Sequence, residues 1–209
     1  MSAARDAVLQ RVRAALGGGA GAAPEPPRDY VAAGADRGFD VVERFCERVA
    51  DYEATLHRVD DGGLEALLAS RCEARGAARV GVPPGAPWAV EGVDLVVDDP
   101  PLGARDLDGL DGVLSGCALA IAETGTIVLD GAGMSGRRAL TLVPDLHLCV
   151  VRAEQVVAAV PDAIAALRDA AGDGRPVVFV SGPSATSDIE LERVGGVHGP
   201  RTLEVFVVG

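Results

Sequence analysis

The 209-residue chain contains no lysine and no asparagine, and all 19 of its basic residues are arginine. Without lysine there is no Schiff base, no pyridoxal phosphate anchor and no P-loop lysine. Without asparagine there is no acceptor for N-glycosylation. Aromatic residues make up only 3%, so the 48% of hydrophobic residues must build a core from Ala, Val and Leu. Positive charge is scarce: 19 Arg face 31 Asp and Glu, for a net charge of -12. A field of that sign repels a phosphate backbone and disfavours nucleic acid as a partner. The four cysteines, Cys46, Cys72, Cys117 and Cys149, are too scattered for a C-x-x-C, so the chain has neither a zinc knuckle nor an iron–sulfur ligand run. They read as buried thiols in a reducing compartment. No apolar run approaches the ~18 residues of a membrane span, and Met1–Asp6 leads into a charged amphipathic stretch rather than a signal peptide. The expectation is an acidic cytoplasmic protein with no membrane insertion.

What is present suggests one compact domain with an appendage. Val8, Val12 and Leu16 recur at i, i+4, i+8 and predict a helix over 2–16. The Gly/Pro-rich stretch from Gly17 to Pro27 reads as a linker. Residues 1–27 therefore form a tethered helix and residues 28–209 the main domain. Within it, Asp40 is placed to cap a helix carrying Val41, Val42, Phe45 and Val49. Strands are expected at 54–59, 78–82, 93–97, 117–122, 126–129, within 141–151, and at 176–180 and 203–208. Helices are expected at 63–75 and 154–171, the second kinked or split by Pro161. The run 93–97 is continuously apolar, as in a strand buried on both faces. Strands alternating with helices predict an α/β fold with a largely parallel sheet.

Three segments concentrate glycine and small polar residues at strand ends, where open α/β sheets bind ligands. In the first, Glu123-Thr124-Gly125-Thr126, Glu123 can be a base or nucleophile, the threonines can donate to a carboxylate or phosphate, and Gly125 can let a ligand approach. The same residues also suit a tight turn between two strands. In the second, Ser181 to Glu190, the hydroxyls of Ser184 and Thr186, with Asp188, can form an anion-binding nest, or Ser187 and Glu190 can make a capping box for a short helix. In the third, His198 lies between glycine-rich residues close to Arg201, which suits proton transfer beside an anion. His57 and His147 sit in apolar strand contexts and read as structural. The Arg137-Arg138 pair, unusual in so acidic a chain, can bind a carboxylate or phosphate, or ion-pair with surface Asp and Glu.

In order, Ala122-Glu123-Thr124-Gly125-Thr126, Leu142-Val143-Pro144, Ser181-Gly182-Pro183-Ser184 with Asp188-Ile189-Glu190, and Val197-His198-Gly199-Pro200-Arg201 resemble the lactate utilization protein C family, the LUD domain. The resemblance covers roughly residues 40–209. It departs at Ala185, where the family pattern leads us to expect a basic residue. It implies a Rossmann-like fold similar to the ribose-phosphate isomerase, glucosamine-phosphate deaminase and CoA-transferase group. It also implies a part in oxidising L-lactate to pyruvate beside two partner proteins that carry iron–sulfur clusters, with no cofactor on this chain. The expected site places Thr124, Thr126 and Ser184 on a small oxyacid carboxylate, pairs Arg201 with it, and gives His198 the proton. A competing expectation is a stand-alone acyl- or CoA-transferase-like or phosphosugar enzyme with Glu123 as nucleophile. A third is a scaffold that docks through helix 2–16. All of these site assignments require segments near 124, 184 and 198 to share one pocket.

Overall fold

The computed structural model describes residues 3–17, 25–28, 31, 33–187, 193–196 and 198–209. The chain divides into two units, Met1–Val31 and Ala32–Gly209. The first carries helix α1 (Ala3–Leu16), over the stretch with helical apolar spacing.

The second unit opens with α2 (Val41–Ala50). The Asp40 carboxylate accepts from the backbone N–H groups of Val42 and Glu43, both at 2.9 Å, and so satisfies donors that a helix start leaves unpaired. Strand β1 (Thr55–Val59) and helix α3 (Leu64–Arg75) follow, and Gly76 ends α3 in a left-handed conformation. Next come β2 (Arg79–Val82), β3 (Asp94–Val97), α4 (Ala104–Asp108) and β4 (Gly112–Ser115). Then come β5 (Leu119–Ile121), β6 (Thr126–Leu129), β7 (Leu146–Arg152) and β8 (Val156–Val157). Helices α5 (Val160–Ala166) and α6 (Arg168–Gly172) lead to β9 (Val178–Val180), β10 (Ala185–Ser187), β11 (Arg193–Gly195) and β12 (Thr202–Val208).

Six strands form one sheet in the order β1-β12-β7-β4-β2-β3, with every pairing parallel. This is the expected Rossmann-like α/β arrangement. On one face α3 packs Leu64, Leu68 and Cys72 over Leu148, Val150 and Phe206. On the other, Cys149, Val151, Val205 and Val207 meet Phe45 and Val49 of α2 and Ala120, Ile127 and Leu129 of a second sheet.

That second sheet, ordered β8-β5-β6-β9, is a feature the expected parallel fold did not include. The turn between β5 and β6 is too short for a crossover, so the two strands run antiparallel. Ala120 and Ile127 point to the main sheet, whereas Leu119, Ile121 and Val128 cover Ala163 and Leu167 on the opposite side.

Three expectations are corrected. Strand β3 is an edge strand with Val97 47% exposed, so its apolar run reflects β propensity and not burial on both faces. The helix expected over 154–171 begins only at Val160, because residues 156–157 are taken as a strand beside β5. Pro161 lies in the first turn of α5, where its missing N–H costs nothing, and α6 is a separate helix. Finally, residues 185–187, read as part of a loop, form strand β10, which pairs antiparallel with β11; the capping box expected of Ser187 with Glu190 lies outside the described residues.

Candidate functional site

A cavity of about 210 Å³ lies beside the main sheet, next to edge strand β9. It falls below the ~300–1,000 Å³ of pockets for drug-sized ligands, a size that suits a small metabolite. His147 and Leu203, from adjacent strands β7 and β12, form one wall. Strand β9 and the loop Ser181–Ser184 form another. His198, Pro200, Thr141 and Arg138 complete it.

Backbone hydrogen bonds bring the second and third sequence segments together. Ser184 N–H donates to Pro200 O at 2.8 Å, and Gly196 N–H to Ser184 O at 3.1 Å. His198 N–H donates to Ser184 Oγ at 3.1 Å. Ser184 and His198 therefore share the cavity, with His198 exposed at its rim.

The first segment touches the cavity only indirectly. Thr124 Oγ1 and Thr126 Oγ1 are 2.7 Å apart, and Thr126 Oγ1 and Ser181 Oγ are also 2.7 Å apart. Of these three hydroxyls, Ser181 is the one that lines the cavity. Thr126 is buried, its hydroxyl satisfied from both sides. Glu123 and Thr124 line a different depression, with Arg48, Asp51 and Tyr52. The carboxylate and the Ser181–Ser184 loop thus occupy separate hollows. Gly125 has φ of 60°, and a Cβ there would lie 2.7 Å from the Arg48 carbonyl carbon and 2.8 Å from Val49 N. The close approach that requires this glycine is made by the backbone of α2, not by a ligand.

The basic residue of the cavity also differs from the expected one. Arg201 is exposed and pairs with Asp145 at 3.4 Å, outside the cavity lining. Arg137 behaves as expected of the arginine pair: Nε and Nη2 reach the buried Asp98 carboxylate at 2.6 and 2.9 Å, and Nη2 also donates to Leu102 O. Its neighbour does not. Arg138 lines the cavity, donates from Nη2 to His198 O at 2.9 Å, and has no carboxylate partner among the described residues. Burial pulls its guanidinium below the ordinary arginine value. Thr186 lies in β10, its side chain outside what is described, and Asp188 lies outside the described residues.

Sequence reasoning weighed Arg138 only as half of an arginine pair and left it out of the expected site, and it read His147 as structural. Two signals were available: the arginine doublet in an acidic chain, and a histidine two residues before Cys149, hence on the same face of one strand. Beneath the cavity, His147 Nε2 lies 2.8 Å from Ser115 Oγ. Cys117, hydrogen-bonded to Cys149 and buried, has its thiol pushed well above the usual range.

Fold and site together define a Rossmann-like α/β domain with a small, partly polar cavity against its sheet. The family described as the LUD domain matches residues 104–208, a span that holds every residue lining the cavity. A lactate utilization protein C of Deinococcus radiodurans is 47% identical over 192 residues, 91% of this chain and 90% of that protein. The chain belongs to the LUD domain family. A lactate utilization protein C of Geobacillus kaustophilus is 31% identical over 128 residues, 58% of this chain and 53% of that protein. The crystal structure of a DUF162 family protein from Deinococcus radiodurans superposes with a TM-score of 0.70 at 42% identity, over 81% of this chain and 96% of that one.

Proposed function

We propose that this chain takes part in lactate utilization and that its cavity binds a small 2-oxyacid carboxylate. The observation that carries the reading is Arg138, a half-buried guanidinium facing a cavity of metabolite size without a carboxylate partner among the described residues. A bound carboxylate would supply the missing negative charge through charge-assisted hydrogen bonds. The hydroxyls of Ser181 and Ser184 are available as further donors, and His198 at the rim can exchange a proton with solvent. The name and 47% identity of the Deinococcus relative support lactate as the oxyacid.

In this reading L-lactate loses two protons and two electrons to become pyruvate. The electrons pass to iron–sulfur clusters on two partner proteins, while this chain holds the substrate. Reconstitution tests it. Mixed with candidate iron–sulfur partners, the chain should form a complex and be required for lactate-dependent reduction of a dye. Arg138→Gln should abolish that requirement's effect, leaving the mixture as inactive as one without the chain. Full activity in its absence would overturn the proposal.

A further inference from the structure

Ser115, Cys117, His147 and Cys149 form one buried polar cluster in the middle of the sheet. Among them, His147 is the residue that lines the cavity. Cys149 has no exposed surface and Cys117 only 3%. Ser115 and Cys149 are register partners across β4 and β7, and Ser115 Oγ lies 2.8 Å from His147 Nε2. Cys149 Sγ lies 3.7 Å from the carbonyl oxygen of Gly116, the residue just before Cys117. Gln155 fixes Cys117 against the end of β7: its Nε2 donates to Cys117 O at 2.8 Å, while its Oε1 accepts from Arg152 N–H at 2.9 Å. The thiols of Cys117 and Cys149, far apart in sequence, are hydrogen-bonded to each other.

The two sulfurs are unequal. The hydrogen bond from Cys117, with others from His147 and Ser115, holds the Cys149 thiol below its ordinary value in spite of burial. The same bond and burial push Cys117 well above it. The pair is therefore one thiolate in contact with one thiol. A dithiol needs that combination to be oxidised: a nucleophile to attack the oxidant and a neighbour to resolve the product. Cys46 and Cys72 lie on α2 and α3, and burial raises both of their thiols.

We propose that Cys117 and Cys149 are an oxidation site, which a small hydroperoxide converts into an intramolecular disulfide. The Cys149 sulfur attacks a peroxide oxygen and forms an S–O bond. The O–O bond breaks, and the departing oxygen takes a proton from solvent and leaves as water or an alcohol. Cys149 is then a sulfenic acid. The Cys117 sulfur displaces the hydroxyl from it: an S–S bond replaces the S–O bond, and the hydroxyl leaves with the Cys117 proton as water. The two cysteines lose two electrons in total, and the peroxide gains them. Because both sulfurs are buried, the oxidant has to be close to water in size. The disulfide ties β4 to β7 and withdraws the Cys149 sulfur from His147 and Ser115. The inference does not depend on which acid the cavity holds.

Trypsin provides the test, because Arg137 and Arg138 lie between the two cysteines and release them on separate peptides. The folded full chain is treated with a slight excess of hydrogen peroxide at neutral pH, blocked with N-ethylmaleimide, digested without reductant and read by mass spectrometry. Peptides 106–137 and 139–152 should appear joined, two hydrogens lighter than their sum, and should separate in dithiothreitol. The Cys149 thiol should disappear roughly tenfold or more faster than those of Cys46 and Cys72, which hold little thiolate at that pH. Cys117→Ser keeps a hydrogen-bond donor beside Cys149 but removes the resolving sulfur. In that variant, with a melting curve to confirm folding, Cys149 should stop at the sulfenic acid and be captured by dimedone. No joined peptide in the folded wild type, a joined peptide that forms only after unfolding, or loss of all four thiols at equal rates would overturn the proposal. So would a folded Cys117→Ser chain in which dimedone labels no Cys149.

Discussion

Thr126 Oγ1 and Ser181 Oγ, 55 positions apart in the chain, meet at 2.7 Å and tie the β5–β6 turn to the loop that walls the cavity. Because Thr126 also meets Thr124, its hydroxyl holds both neighbours. Thr126→Val keeps the shape and removes the bridge. It should cost about 0.5–1.5 kcal/mol of stability in urea unfolding, the net worth of a typical hydrogen bond, because Ser181 is exposed and Thr124 half-buried and both can turn to water. Lactate binding should weaken by less than about tenfold, since Ser181 would be loosened and not lost.

Gly125 is required by a backbone contact. Gly125→Ala would place a methyl group within 2.8 Å of the last turn of α2, at a φ that disfavours side chains. We expect a loss of about 2 kcal/mol or more by thermal unfolding. Gly133→Ala is the control: its φ is also positive, at 50°, but nothing lies within 4 Å. It should cost only about 1 kcal/mol. Equal losses at the two positions would remove the packing argument.

Glu204 predicts the acid limb of stability. Its side chain is fully buried in β12, and burial alone would raise its pKa. Arg71 at 2.8 and 3.0 Å, Arg75 at 2.7 Å and His57 at 2.8 Å overcome that and hold the carboxyl at about 2. The folded value lies below the ordinary 4.5. The stabilisation is therefore present in full above about pH 4.5 and is lost as pH falls through about 2. Unfolding free energy measured from pH 6 to pH 2 should drop by about 3 kcal/mol more in the wild type than in Glu204→Gln. The variant should be less stable by about 3–5 kcal/mol at neutral pH, because Arg71 and Arg75 lose the carboxylate they share.

Glu123 sits in the hollow beside Arg48 and Tyr52, apart from Ser184 and His198. Glu123→Gln should leave lactate affinity unchanged within about twofold. A tenfold loss in a folded variant would place this carboxylate in the binding site after all.

Much of the fold was legible because its signals are local. Asp40 before one apolar helical stripe marks the start of α2, and Gly76 after another marks the end of α3. The runs around Leu148 and Val205 read as buried strands. What was not legible depended on partners far along the chain. Whether 93–97 is central or at an edge is decided by which strand pairs with β2, and not by its own apolar residues. The strand at 156–157 overrode helix propensity because β5 offered a free edge. The same holds at the site. Ser184 and His198 announced themselves through glycine-rich loops at strand ends. Nothing local separates Arg137 from Arg138: the first is claimed by Asp98, 39 residues upstream, and the second is left facing the cavity. His147 looked like a core histidine, and it is one; its exposure to the cavity comes from loops more than 30 residues later in the chain.

Titrating L-lactate into the wild type, Arg138→Gln and Arg201→Gln, with melting curves to confirm folding, separates the two candidate arginines. The geometry predicts saturable binding by the wild type, a loss of roughly tenfold to a hundredfold in Arg138→Gln, as for a hydrogen bond to a charged group, and a change within about twofold in Arg201→Gln. Wild-type protein that takes up no lactate, or an Arg138→Gln variant that binds it as well as the wild type, would contradict the assignment of this cavity to a carboxylate.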